Sequence, residues 1–389
     1  MNKITTLFCQ FLLLILLTRK IVSGSSLHSN TYEQLHFLET FENSTTTNLP
    51  LHEWEPTKQK NYHGSFVRKA SNITDEHGDD YVLVAEKAGY YYGYSHVFET
   101  PFSPINDDHG LVLQYSTTFS EFITCGGGYI KLFYKFKPKK LGQKTNYAIM
   151  FGPDICGGNN NIHFIYTRKN PNNKNLEERK LKNPPQAPMD HLSHLYTLVL
   201  DRANRFQMYL DMELIREGNL LDDFEGVHHP SMDDPNDKPP EDWVDDYWIR
   251  DPSDLPPEDW TDEEYVIDVD AFTPQEWDVV QDGEWEPPLI ANEKWKKKWV
   301  QRKILNPEWR GEWEPRKIYD KLYWDDRTPY KLDTIYGIGF EIWSVNKNVF
   351  FDDIILSTND HKSLIWDYAE KIWKPKYNTQ LKNQSLLEN

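Results

Sequence analysis

Two short stretches of the chain place chemically useful side chains on one face of an extended backbone. In 129–136 (YIKLFYKF) a period of two puts Tyr129 and Lys131 on one side and Ile130, Leu132 and Tyr134 on the other. In 336–345 (YGIGFEIWSV) Gly337, Gly339, Glu341 and Trp343 share a face, with Ile338, Phe340 and Ile342 opposite. A carboxylate and an ammonium can satisfy the hydroxyls of a polar ligand, while aromatic faces pack against the C–H side of a ring. The two glycines leave room for such a ring. Each residue taken singly has a plainer use: Tyr129 and Trp343 as core or rim aromatics, Lys131 as a solvated charge. A glycosidase would need a second carboxylate across the scissile bond. Only Glu341 is firmly placed, so hydrolysis is the lesser reading and the chain is expected not to be an enzyme.

The elements that must hold these faces read as β-strands. Strand-like runs at 110–119, 195–200, 205–212 and 349–357 are separated by Gly, Pro and Asn punctuation, and 201–204 (DRAN) reads as a hairpin turn. That pattern predicts an antiparallel sandwich or jelly roll. Near the C-terminus, Leu364, Ile365, Tyr368 and Ile372 predict an amphipathic helix over 361–374, which Pro375 would end. Residues 1–24 look like a secretory signal, with Lys3, the apolar run 7–17 and a small-residue cleavage site at 22–24. Cys9 would leave with it. Cys125 and Cys156 then remain as an even pair, which an oxidising lumen would join. No other window is long and apolar enough for a transmembrane anchor.

Between these strands the pattern changes abruptly. Units ending at Trp243, Trp260 and Trp277 recur every 17 residues, and Trp285, Trp299 and Trp313 follow every 14. Two repeat classes in that order can fold back as a long hairpin, each unit of the first facing one of the second. The net charge of −18 is concentrated here: 231–285 carries 20 acidic residues against Lys238 and Arg250. Nucleic acid is therefore excluded as a partner, and cations or basic protein surfaces are favoured. The domains read as a signal (1–24), a globular part (25–228), an arm (229–315), a second globular part with the helix (316–375) and a tail (376–389).

The repeats KPPEDW and GEWEPP resemble the arm of the calreticulin and calnexin family, and CGGGYIKLF, YAIMFGPDIC, HLYTL and GFEIWSV resemble its lectin domain. The resemblance runs from Leu38 to about Trp373, and three units of each class are calreticulin-like. It implies an all-β fold: a concanavalin-like jelly-roll sandwich with an inserted proline-rich hairpin and a short C-terminal helix. It further implies a calcium-binding lectin chaperone of the endoplasmic reticulum lumen, binding monoglucosylated glycans on unfolded glycoproteins. By family match the sugar contacts are Tyr129, Lys131, Tyr147, Met150, Glu341 and Trp343, with Asp154 and Glu178 as weaker candidates. Tyr147 and Met150 have opposite parity, so a bulge near Ile149 is required. Asp352 matches a structural calcium ligand, with others near Gln59 and Asp79–Asp80. Asp282, Glu284 and Trp285 match the tip that docks a disulfide or prolyl isomerase, beside Val279 and Val280 where the family usually carries acids. The chain ends LKNQSLLEN, without the family's acidic tail or retention tetrapeptide, so one or a few calcium sites are expected rather than bulk storage.

Overall fold

The computed structural model describes residues 31–42, 52–75, 78–104 and 109–387, with backbone alone for 72–75, 78–79 and 387. The signal expected at 1–24 lies outside them. Two compact units emerge, one made of the chain up to Pro230 together with Lys321 onward, the other Ser231–Asp320.

Alternating strands of the first unit bury one face each against a shared core, as the period-two pattern requires. One sheet of eight strands runs in the order Glu213–Asn219, Arg205–Leu210, His194–Leu200, Leu111–Phe119, Val349–Ser357, Gly78–Ala85 and Phe66–Asp75, with Phe37–Glu39 added on Val349–Ser357. The second, of nine strands, runs Phe224–Glu225, Leu176–Leu181, Asn159–Lys169, Tyr147–Cys156, Cys125–Gly127, Ile335–Ser344, Tyr90–Phe102 and Glu55–Pro56. Ile130–Phe133 pairs with both Ile335–Ser344 and Tyr147–Cys156. All these ladders are antiparallel. The expected hairpin forms at 201–204, joining His194–Leu200 to Arg205–Leu210. Leu113, Leu132, Phe151, Phe164, Phe340 and Phe351 meet between the sheets, each almost fully buried.

The C-terminal helix departs from expectation. Lys362–Tyr368 is α-helical as predicted, and its apolar face packs on the eight-stranded sheet, Ile365 and Tyr368 lying against Val112, Val199 and Ile355. Pro375 does not end it. A π-turn over Ala369–Trp373 comes first, and a second α-segment runs Lys374–Leu387 straight through the proline. The wider turn accommodates the ring and the missing N–H, which would otherwise clash and break an α-helix.

The second unit realises the repeat arithmetic. Ser231–Asp233, Trp248–Arg250 and Tyr265–Ile267, stepping by 17, pair with Lys317–Tyr319, Lys303–Leu305 and Leu289–Ala291, stepping by 14. The arm therefore closes at Asp320 rather than at 315. Trp243 meets Trp313 edge to face at 4.9 Å, and Trp260 meets Trp299 at 4.8 Å. Asp234 pairs with Arg316 and Asp251 with Arg302, each at 2.6 Å. The indole N–H groups of Trp243, Trp260 and Trp277 donate to the carbonyls of Gly311, Lys297 and Gly283. These three acceptors occupy one left-handed position, φ 93°, 70° and 81°, where glycine is free of strain and Lys297 is not.

Candidate functional site

The outward face of the nine-stranded sheet gathers the residues picked from sequence. Lys131 lies directly opposite Gly339 on one neighbour and Met150 on the other. Its ammonium donates to Glu341 Oε2 at 2.7 Å, and both side chains are largely buried. Tyr147 and Met150 reach the same face because the register slips once: Leu132 faces Ile149, but Phe133 faces Tyr147. The bulge required by parity is thus present, centred on Ala148 rather than Ile149.

Aromatic rings frame the pair. The Lys131 ammonium lies 5.0 Å from the Tyr147 ring centre and 5.5 Å from that of Tyr129, within cation–π range. The Tyr147 hydroxyl donates to Glu178 Oε1 at 2.6 Å, which brings that weaker candidate to the rim. Burial, then the Glu178 hydrogen bond, pushes the Tyr147 phenol upward, so it stays a donor at neutral pH. Asp154 faces Gly127 across the ladder and His163 at 3.7 Å. Burial raises its carboxyl, against the pull of His163 and Lys131. Trp343 is 37% exposed, opposite Tyr91 with ring centres 6.1 Å apart. Such an indole is free to stack on a ring.

One contact was not legible in the sequence. The Tyr62 hydroxyl donates to Glu341 Oε1 and accepts from the Gln143 backbone N–H. Tyr62 is 279 residues from Glu341 and belongs to no periodic segment, so nothing local marks it. Both Glu341 oxygens are thereby fixed, each keeping a lone pair for a ligand. The two glycines are also required by the packing of the sheet. A Cβ at Gly339 would meet the Tyr94 carbonyl, and one at Gly337 the His96 carbonyl and the Phe136 ring, so close backbone packing demands them. Cys125 and Cys156 form the expected disulfide across directly opposed strand positions, two residues from Gly127 and Asp154 respectively.

Asp352 is elsewhere, on the far face of the eight-stranded sheet. A register slip between Asp352 and Ile355 turns both Asp352 and Asp353 outward. Lys376, from the helix beyond Pro375, inserts its ammonium among them: 2.9 Å from Asp352 Oδ2, 3.2 Å from Asp353 Oδ1 and 2.6 Å from Asp80 Oδ1. The last is an ion contact without hydrogen-bond alignment. All four side chains are buried. Burial alone would lower the lysine pKa, but Asp352, Asp353 and Asp80 outweigh it and hold it well above the usual value. Gln59 is not among them; its amide donates to the Lys140 carbonyl. The Asp79 side chain lies outside the described residues. Among the described residues, no cluster of three or more His, Cys, Asp or Glu is arranged to hold a metal ion. The donor set expected for calcium at Asp352 does not fit that ion, because an ammonium already fills it.

At the arm tip, Asp278 caps a single helical turn, Val279–Asp282, by accepting from the Val280 N–H. Asp282 and Glu284 are exposed and Trp285 is half-buried, while Val280 is 94% exposed. Among the described residues, no helix is long and apolar enough to cross a membrane.

Comparison with known proteins agrees with this architecture. The calreticulin family model matches residues 31–282 and 278–356. The chain is 40% identical over 355 residues to a calreticulin of Schistosoma mansoni, covering 90% of this chain and 87% of the relative. It is 39% identical to a calreticulin of Caenorhabditis elegans over 83% of this chain and 79% of that one. A calnexin homolog of Pisum sativum is 34% identical, with 92% and 72% covered. The globular domain of Trypanosoma cruzi calreticulin superposes with a TM-score of 0.56 at 20% identity, covering 91% of this chain and 99% of that one, which speaks for the fold alone. A lectin-type sandwich, a seventeen-and-fourteen hairpin arm and these matches lead to one conclusion: the chain belongs to the calreticulin family of lectin chaperones.

Proposed function

We propose that the outward face of the nine-stranded sheet binds monoglucosylated high-mannose glycans on folding glycoproteins in the endoplasmic reticulum lumen. The observation that carries this reading is the buried Lys131–Glu341 pair, braced by Tyr62 and flanked by Tyr129, Tyr147 and Met150. A fixed carboxylate and ammonium offer acceptors and donors to sugar hydroxyls, and exposed Trp343 offers a stacking face. The arm, in this reading, brings a disulfide or prolyl isomerase to the client through Asp282, Glu284 and Trp285. No bond of the client is made or broken at the sheet. The test is titration of monoglucosylated and glucose-free glycans into the full chain and into Lys131→Ala and Glu341→Ala. Binding selective for the glucosylated glycan and lost in both variants is expected; undiminished binding in both would sink the assignment.

A second reading rests on the arm's apolar side chains. Val269, Phe272 and Val280 are 87%, 88% and 94% exposed. Such residues suit a glycan-independent holdase or adaptor. It predicts suppression of aggregation of a non-glycosylated client that survives both substitutions.

A further inference from the structure

The Lys376 cluster is built, buried and unused by the sugar site. Asp352 and Asp353 are presented together by a strand bulge, and Asp80 comes from the neighbouring strand Gly78–Ala85. Lys376 reaches them only because the helix continues past Pro375. Tyr368, one helical segment earlier, donates to Asp353 Oδ1 at 2.7 Å. Two side chains of one helical run therefore serve acids on two strands. Buried carboxylates are tolerated only when a cation or hydrogen bonds compensate them. Here the compensating cation is covalently part of the chain.

We infer that the Lys376 ammonium is a resident cation that takes the place of a divalent ion between the sheet and the C-terminal helix, making the sandwich independent of calcium. An internal ammonium has no dissociation constant. It cannot be stripped by a chelator, and it already occupies the point where the three carboxylates converge. A hard divalent ion would need the same oxygens at shorter distance and in larger number. Removing the ammonium while leaving the carboxylates would convert the cluster into an oxygen-rich cavity that can take calcium.

The experiment is thermal unfolding of the full chain and of Lys376→Met, each in excess EGTA and in millimolar calcium, with calorimetric titration of calcium alone. A ligand that bound only the folded state at about 100 times its Kd would raise Tm by several degrees. The wild-type midpoint is expected to be the same in both buffers. Lys376→Met is expected to melt several degrees lower in EGTA and to recover in calcium. If it yields no folded protein in EGTA but folds in calcium, the inference stands equally. Should it fold in neither, Lys376→Met with Asp352→Asn must fold, having one carboxylate fewer; failure of that variant too counts against the inference. A wild-type chain that gains several degrees from calcium, and loses one tight site on Asp352→Asn, overturns it. So does a Lys376→Met variant indifferent to both substitution and calcium. Weak calcium association along the acidic arm would persist in Asp352→Asn and is thereby told apart.

Discussion

Replacing Lys131 by methionine removes the ammonium but keeps the length of the apolar stem. Glu341 is then left in a site where its side chain is 7% exposed, holding only the Tyr62 hydroxyl. Breaking a buried pair by removing one partner costs about 3–5 kcal/mol, and the retained Tyr62 bond places this case near about 3 kcal/mol. With an m-value of about 3 kcal/mol/M, the urea midpoint of the sandwich falls by about 1 M. Adding Glu341→Gln removes the stranded charge, so the double variant recovers part of the loss, with a coupling of about 1.5–3 kcal/mol across the cycle. Glycan affinity does not recover, because both the donor and the charged acceptor are gone. Urea unfolding of the four proteins and glycan titration of those that fold give the two readouts. A Lys131→Met variant that unfolds with wild-type and binds glycan with unchanged affinity would refute both the energetics and the site.

Two further outcomes follow from other parts of the molecule. His194 is buried between Asp211 at 2.7 Å and Asp190 at 2.8 Å; burial would lower its pKa, but the two carboxylates prevail and raise it. A raised folded-state value means its stabilisation is full below the unfolded value of about 6.5 and fades as pH rises through the higher native one. Thermal midpoints taken across that window should fall for wild-type and stay flatter for His194→Asn; parallel profiles would exclude the pair as the cause. In the arm, Lys297→Gly relieves the left-handed strain at the one non-glycine acceptor of the series, a gain of about 0.5–1 kcal/mol after glycine's own entropy cost. Slower proteolysis of the middle repeat would support this, and faster cleavage would show that the lysine side chain does something the backbone does not require.

Much of this structure could be read from spacing. The strand faces at 129–136 and 336–345 follow from a period of two, and the parity conflict between Tyr147 and Met150 forecast a bulge that sits one residue from where it was sought. The 17 and 14 steps dictated which units meet, since an antiparallel hairpin admits only one such pairing. Long-range partners were not legible. Tyr62 joins Glu341 through tertiary packing, and no local pattern distinguishes it from any other loop tyrosine. Lys376 was hidden by a rule that is sound in isolation: proline ends helices unless the preceding turn widens, and the π-turn at Ala369–Trp373 does that. The ammonium that meets Asp352 was hidden for the same reason, because Lys376 comes from beyond the proline.

The arm's rungs carry a consequence for how its reach can change. Each rung has its own short ladder, and those of Ser231–Asp233 and Trp248–Arg250 add an indole pair and an aspartate–arginine bridge. Losing an outgoing unit alone would leave one returning unit without a strand to pair with. Reach is thus quantised. Evolution can lengthen or shorten this arm only by nested duplication or loss of matched units, one from each side. A change of that kind leaves the tip turn Val279–Asp282 and the strands of the sandwich untouched.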